Sequence, residues 1–349
     1  MIRIAVDAMG GDKGPQVVTR GVISAALNSS TRYLLVGDPA ILEAELKAFG
    51  AAHPNIEIVP AMQIIEMSEH PVEAFKHKPD ASVVVSAKLV KEGQADGFVT
   101  IANTGAAVAV SLLTLKRIKG IDRPAIATTL PAITGKVVLL DAGATPDCES
   151  RNLYEFALMG CAFSQKVHGV ARPKLGLLSI GEEDSKGNAL SKRTYALFKE
   201  TFGSNTPFDF IGNVEGKDIY RGVADVIVCD GFVGNTVLKT SEGVAEMILK
   251  LLKEELDRNK LILPLLIPFK SAFREVRRKI DYSEHGGAPL LGVNGVCIIG
   301  HGRSNENAVK NACLAAEKAI TYNLVETIRQ RVNDTPAPLL KSETLRGIV

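Results

Sequence analysis

Five times or more along this chain, an apolar β-type run ends in a polar, glycine-bearing loop that opens a helix, and this repeated unit most constrains the fold. The clearest case runs from Leu175 to Ile180 and stops at Gly181; Leu190, Thr194, Leu197, Phe198 and Phe202 then fall on one helical face. Between them lie Glu182, Glu183, Asp184, Ser185, Lys186, Gly187 and Asn188. Strand, polar loop and helix in that order are how an open α/β sheet builds a site. Such sheets take ligands beyond the carboxyl ends of their strands, where helix N-termini turn free N–H groups toward anions. One loop of this kind is more often an ordinary solvated connection. The repetition is what shifts the reading toward a site.

The other units follow in chain order. Ile2 to Val6 leads through Asp7-Ala8-Met9-Gly10-Gly11-Asp12-Lys13-Gly14-Pro15 into a helix reaching Leu27, with Pro15 suited to the first turn. Strands at Tyr33 to Val36 and Ile56 to Val59 flank a helix from Pro39 to Phe49. A helix from Ser82 to Glu92 precedes the strand Gly97 to Ile101, and Asn103-Thr104-Gly105 opens the next helix. Ala125 to Leu130 and Val137 to Leu140 are strands, the second ending in Asp141-Ala142-Gly143; short strands follow at Phe208 to Ile211 and Val223 to Val228. The last of these leads into Asp230-Gly231-Phe232-Val233-Gly234-Asn235. Asn294-Gly295 between apolar runs predicts a tight hairpin turn, and a long helix is expected from Asn305 to about Ile328. Strands alternating with helices predict an α/β fold, a three-layer α/β/α sandwich around a mostly parallel mixed sheet. Residues 1–335 read as a single catalytic domain and 336–349 as a tail.

One segment departs from this plan. Lys260 to Phe269 is apolar but broken by Pro264 and Pro268, so it is no single regular helix. Arg258 to Ile280 holds seven basic residues and one acidic one. An apolar tip of Leu263, Leu265, Leu266 and Phe269 beside Arg274, Arg277 and Arg278 reads as a projecting amphipathic element at about 254–282. It suits an anionic membrane surface or an acidic partner protein; the bland alternatives are a dimer interface or a packed helix with solvated charges.

The whole chain carries a net charge of only +2 over 349 residues, which argues against nucleic-acid binding. The five cysteines form no C-x-x-C pair, so neither a disulfide framework nor a zinc site is indicated. No signal peptide or run of some 18 to 20 apolar residues is present, and a soluble cytoplasmic protein is expected, at most resting on a membrane surface.

The loops together offer Asp7, Gly10, Gly11, Asp12, Asn103, Thr104, Gly105, Asp141, Lys186, Asn188, Asp230, Asn235 and His301. Glycines, amides and helix starts with one lysine favour holding a phosphate or an oxyanion. A phosphate-binding P-loop motif and a G-x-S-x-G nucleophile elbow are both absent. Cys229, inside an apolar strand, reads as core more readily than as an acyl-carrying thiol. Carboxylates at 7, 12, 141, 184 and 230 could bind Mg²⁺, though spacing alone does not bring them together. His301 stays open as general base, oxyanion donor or structural histidine.

These motifs resemble the bacterial phosphate acyltransferase family, PlsX. The likeness rests on Asp-Ala-Met-Gly-Gly-Asp at 7 to 12, Asn-Thr-Gly-Ala at 103 to 106, Gly-Glu-Glu-Asp-Ser-Lys-Gly-Asn at 181 to 188, Asp-Gly-Phe-Val-Gly-Asn at 230 to 235, and the Gly-Gly-Ala-Pro-Leu-Leu-Gly-Val run with His301-Gly302. Ala102 and Thr145 depart from the family pattern, where glycine and asparagine are usual. The resemblance implies a fold similar to phosphotransacetylases and isopropylmalate dehydrogenases and a homodimer; no cofactor and no metal ligand is assigned. It implies reversible transfer of an acyl group from acyl carrier protein to inorganic phosphate, giving acyl phosphate for phospholipid synthesis at the membrane, where a glycerol-3-phosphate acyltransferase would be a partner. Lys186 and Asn235 match the suspected catalytic pair, with His301 and Asp230 orienting them; Gly231, Gly234, Gly287 and Gly302 join the phosphate-binding loops. An acyl-CoA phosphotransacetylase and a non-catalytic membrane scaffold remain the alternatives.

Overall fold

The computed structural model describes residues 1–27, 29–50, 53–66, 68–258 and 286–335, together with Ser271 and Glu275. The apolar and basic residues Leu263, Leu265, Leu266, Phe269, Arg274, Arg277 and Arg278 lie outside the described residues, as does 336–349.

Twelve strands among the described residues form two sheets. The first holds β1 (Arg3–Asp7), β2 (Arg32–Gly37), β3 (Ile56–Pro60), β4 (Gly97–Thr100), β5 (Ala125–Ile126), β11 (Ala288–Leu291) and β12 (Val296–Ile299), in the order β3-β2-β1-β4-β12-β11-β5. From β3 to β12 the pairing is parallel, and β11 runs antiparallel to both its neighbours. The second sheet orders β6 (Thr128–Ala132), β7 (Gly135–Leu140), β10 (Val226–Val228), β8 (Lys174–Leu178) and β9 (Asp209–Val214), with only the edge strand β6 antiparallel. Central strands read as unbroken apolar runs because both faces are covered: Ile4, Ala5, Val226, Ile227 and Val228 are fully buried.

The expected run Ala125 to Leu130 is a strand that changes partners. Its first residues pair with β11 and its later ones with β7, while the Ala127 N–H between them donates to the Pro289 carbonyl at 3.0 Å. One chain segment thus passes from one sheet to the other, and the expected mixed sheet is divided in two.

Helices cover the sheets: α1 (Gly14–Ala26), α2 (Pro39–Ala48), α3 (Pro71–His77), α4 (Ser82–Lys91), α5 (Thr104–Leu115), α6 (Ser150–Phe163), α7 (Ala189–Thr201), α8 (Gly216–Arg221), α9 (Gly231–Arg258), α10 (Glu306–Thr321) and α11 (Leu324–Asp334). Caps set their starts. Asp38, Asn103, Asn188 and Asn305 each accept a backbone N–H from the first turn, satisfying donors that the helix leaves over. Nearly every residue of α6 is buried, and it belongs to a core cluster drawing on both sheets, with Ile4, Val6 and Val99 from the first and Val138, Leu175 and Val226 from the second. Tyr154 stacks on Phe202 at 4.9 Å and anchors α6 to α7.

Two local expectations change. The hairpin between β11 and β12 uses the four residues Gly292 to Gly295, not a two-residue turn. The last long helix breaks at Asn323, in the left-handed region at φ 52°, which lets α11 turn and bury Leu324, Ile328 and Val332. Among the described residues no helix is long and apolar enough to cross a membrane.

Candidate active site

The parallel strands β1, β4 and β12 end side by side, and so do their loops. Asp7, at the end of β1, is buried; one carboxylate oxygen accepts from the Ser82 hydroxyl at 2.6 Å and the other from the Thr100 hydroxyl at 2.7 Å. Burial pushes its pKa above the ordinary carboxylate value, against the pull of those hydroxyls. Asp7 therefore pins the loop to α4 and β4. A Cβ on Gly10 would lie 2.9 Å from the Asp7 carboxylate and 3.1 Å from the Ala102 nitrogen, which is why glycine stands there. The Asp12 N–H donates to the Gly302 carbonyl at 2.8 Å, tying the first loop to the His301-Gly302 turn.

A second cluster forms where β7 and β10 end. The buried Asp141 takes four backbone N–H groups: Ile126 at 2.8 Å, Gly143 and Ala144 at 3.0 Å each on one oxygen, and Thr145 at 2.6 Å on the other. Its bond to Ile126 reaches the first sheet. Helix α9 starts against this loop: the Gly231 N–H donates to the Thr145 carbonyl at 2.9 Å, and a side chain at Gly234 would overlap the Asp141 carbonyl. Asp230 accepts the Val233 N–H at 2.8 Å, so it caps α9. Asn235, where the second turn begins, is exposed beside Gly143, and its amide has no side-chain partner among the described residues.

His301 joins the two clusters. Its Nε2 lies 3.0 Å from the Lys239 ammonium on α9, and its Nδ1 faces the Arg303 N–H at 3.2 Å. Burial first, then the Lys239 charge, pushes its pKa below the ordinary histidine value. Lys186 stands apart, at the end of β8. Its stem lies over Gly181, where a Cβ would sit 2.7 Å from its Cγ, and its ammonium has no partner among the described residues. The loop is held by the Asn213 amide donating to the Glu183 carbonyl at 2.9 Å, while Asn188 caps α7 by accepting the Ser191 N–H at 2.9 Å.

The geometry thus brings together Asp7, Gly10, Gly11, Asp12, Gly302 and His301, and separately Asp141, Asp230, Gly231, Gly234 and Asn235, joined through Lys239. Asn103 caps α5, with Thr104 and Gly105 in its first turn. Gly287, at φ 77°, packs against Ile298 and the Ile299 carbonyl, a hairpin position rather than an open one. Asp7 and Asp141 spend their oxygens on the protein itself and build the loops. Cys229 is buried in the core with its pKa pushed up by burial, consistent with a packing role. Lys239 was not legible as a site residue, although four residues beyond Asn235 it shares that helix face. Ser82 and Thr100, which anchor Asp7, carry no local signal.

Two features lie elsewhere. A cavity of about 660 Å³, lined by Lys116, Arg117, Lys119 and Arg123, opens at the far end of α5 from Asn103. Among the described residues Glu182, Glu215 and Asp218 place carboxylate oxygens within 4.8 Å of one another, but Glu215 and Asp218 already form the capping box of α8.

The chain matches the model of a family described as "Fatty acid synthesis protein" over residues 2–327. It is 46% identical over 339 residues to a phosphate acyltransferase of Heliobacterium modesticaldum, covering 97% of this chain and 100% of that one. It is 48% identical over 324 residues to one of Dictyoglomus thermophilum, covering 93% of this chain and 95% of the relative. Among solved structures, the EutD phosphotransacetylase from Staphylococcus aureus superposes with a TM-score of 0.59 at 14% identity, over 91% of this chain and 94% of that one. A branched-chain phosphotransacylase from Enterococcus faecalis gives 0.57 at 15% identity, over 92% and 99% of the two chains. At such identities the structures speak for the α/β fold; with sequence relatives this close over nearly the whole length, the chain belongs to the phosphate acyltransferase family, PlsX, a family of acyltransferase enzymes.

Proposed function

We propose that this protein forms acyl phosphate from acyl carrier protein thioester and inorganic phosphate, reversibly, for phosphatidic acid synthesis. A phosphate oxygen attacks the thioester carbonyl carbon, the C–S bond breaks, and the carrier thiol leaves with a proton. The observation that carries the reading is the start of α9, where the exposed Asn235 amide meets the glycine loop at Gly143. Helix starts of this kind hold phosphate and stabilise an oxyanion. Lys186 supplies positive charge from the adjacent strand end, and His301 completes the rim.

Partners follow from the same reading. The basic stretch at 258–280 suits the acidic carrier protein, and its apolar residues suit a membrane surface, placing the enzyme in the cytoplasm at the membrane periphery. A second copy of the chain fits the far part of α9, where Val244, Met247, Ile248, Leu251 and Leu252 form an exposed apolar stripe at helical spacing. The core shared by both sheets supports one catalytic domain over 1–335.

The test is release of free thiol from palmitoyl carrier protein and from palmitoyl-CoA, each with and without phosphate. Phosphate-dependent release from the carrier protein is expected. Release from CoA alone points instead to an acyl-CoA phosphotransacetylase, and release from neither overturns the enzymatic reading.

A further inference from the structure

The contact between Lys239 and His301 spans the two halves of the site, since α9 follows β10 of the second sheet and His301 follows β12 of the first. An ammonium has three donors and no acceptor. Lys239 directs one toward Nε2 of His301 at 3.0 Å and one to the Glu242 carboxylate at 2.8 Å. The third has no partner among the described residues, and the side chain is exposed on the helix face that also carries Asn235.

The histidine is matched to this use. A neutral imidazole has a single lone pair, and an imidazolium has none. Were His301 protonated, Nε2–H would face an ammonium at 3.0 Å, two cations without an acceptor between them. The ring therefore serves Lys239 only when uncharged, with Nε2 accepting; that bond to a charged donor outweighs the longer 3.2 Å approach of the Arg303 N–H to Nδ1. Among the described residues, the charged groups acting on the ring are Lys239 and Glu242 on α9, Arg303 in its own turn and Asp12 in the first loop. The two cations disfavour imidazolium and the two carboxylates favour it, with burial deciding for the neutral ring.

We propose that Lys239 is a second anion-binding cation of the acyl-transfer site, aimed by His301 and Glu242 so that its remaining N–H meets phosphate on the side opposite Lys186. This rests on the acyl phosphate reading. Phosphate then lies between two lysines from different strand ends, and His301 acts as a positioning residue for one of them. As pH falls through the lowered pKa of His301, the acceptor is lost and the lysine is released.

The experiment compares Lys239→Met and Lys239→Arg with the unmodified enzyme, measuring KM for phosphate and kcat with palmitoyl carrier protein. The His301 ring is followed in parallel by nitrogen NMR as a function of pH. Losing one charge-assisted hydrogen bond should raise the phosphate KM about tenfold or more in Lys239→Met, with a smaller change in kcat and partial recovery in Lys239→Arg. In Lys239→Met the His301 titration should move to higher pH. An unchanged phosphate KM, or an unmoved titration, overturns the proposal. Thiol release that ignores phosphate in the unmodified enzyme would instead overturn the acyl phosphate reading, and the His301 titration would still report on the contact.

Discussion

The sharpest perturbation is a single methyl group at the start of α9. An alanine Cβ at Gly231 would lie 2.6 Å from the Asp141 carboxylate and 2.7 Å from the Thr145 carbonyl oxygen. Reaching an ordinary contact of 3.4 Å from 2.6 Å requires the helix start to recede by about 0.8 Å. That motion stretches the Gly231 to Thr145 hydrogen bond and carries Asn235 with it. Overpacking of this kind costs about 1–3 kcal/mol, which for a chain of this length is a fall in Tm of roughly 1–4 °C. A misplacement near 1 Å at a reacting group lowers turnover by up to ~10²-fold. Circular dichroism melting and phosphate-dependent thiol release are the two assays. Gly243→Ala provides the control: in the same helix, its Cβ meets nothing within 4 Å. There, alanine should add up to about 1 kcal/mol through helix propensity and leave activity alone. If Gly231→Ala melts as high as Gly243→Ala and turns over normally, the close approach between α9 and the Asp141 loop does not set the site.

Lys186→Ala should lose ~10² to 10³ in turnover with no change in Tm, because the exposed ammonium has no partner among the described residues; near-normal thiol release sinks its assignment. Asp7 has a folded pKa raised above its unfolded value, so its stabilising contribution is full below the unfolded pKa and is lost as pH rises through the folded one. Asp7→Asn lacks that loss, so its stability relative to the unmodified protein should improve from pH 4 upward; a flat difference in urea melts across that range contradicts the sign. Leu263, Leu265 and Leu266 together changed to Ser should abolish co-sedimentation with anionic vesicles while thiol release persists, and undiminished vesicle binding refutes the membrane reading.

The fold was legible wherever an apolar run met a glycine loop, because burial on both faces and helix-start chemistry each leave a local signature. β1, β4, β7, β8 and β10 and the helices behind them followed directly. The division into two sheets was not legible, since nothing local marks that the run 125–132 changes partners at Ala127. The break at Asn323 was equally silent, an asparagine inside a periodic apolar pattern. In the site, residue types were readable but allegiances were not. Asp7, Asp141, Asp230, Asn103 and Asn188 look alike as polar loop residues, yet their oxygens are occupied by N–H and O–H donors, some 75 and 93 residues away. Asn235 and Lys186 differ from them only by having no side-chain partner among the described residues, a property that chain spacing does not encode.

The bond from Asp141 to the Ile126 N–H has a mechanical consequence. It fixes a pivot between the two sheets at the end of β7, close to the covalent passage through Ala127. Neighbouring strands lie about 4.8 Å apart, so the end of β8, two strands over, sits on a lever arm of about 10 Å. A relative turn of about 10° moves Lys186 by roughly 1.7 Å, Asn235 by about half as much and Asp141 hardly at all. Because Lys186, Asn235 and Asp141 ride on the same sheet and keep their mutual spacing, the dimension such a turn adjusts is the gap between Lys186 and the first-sheet loops at Gly10 and Gly302.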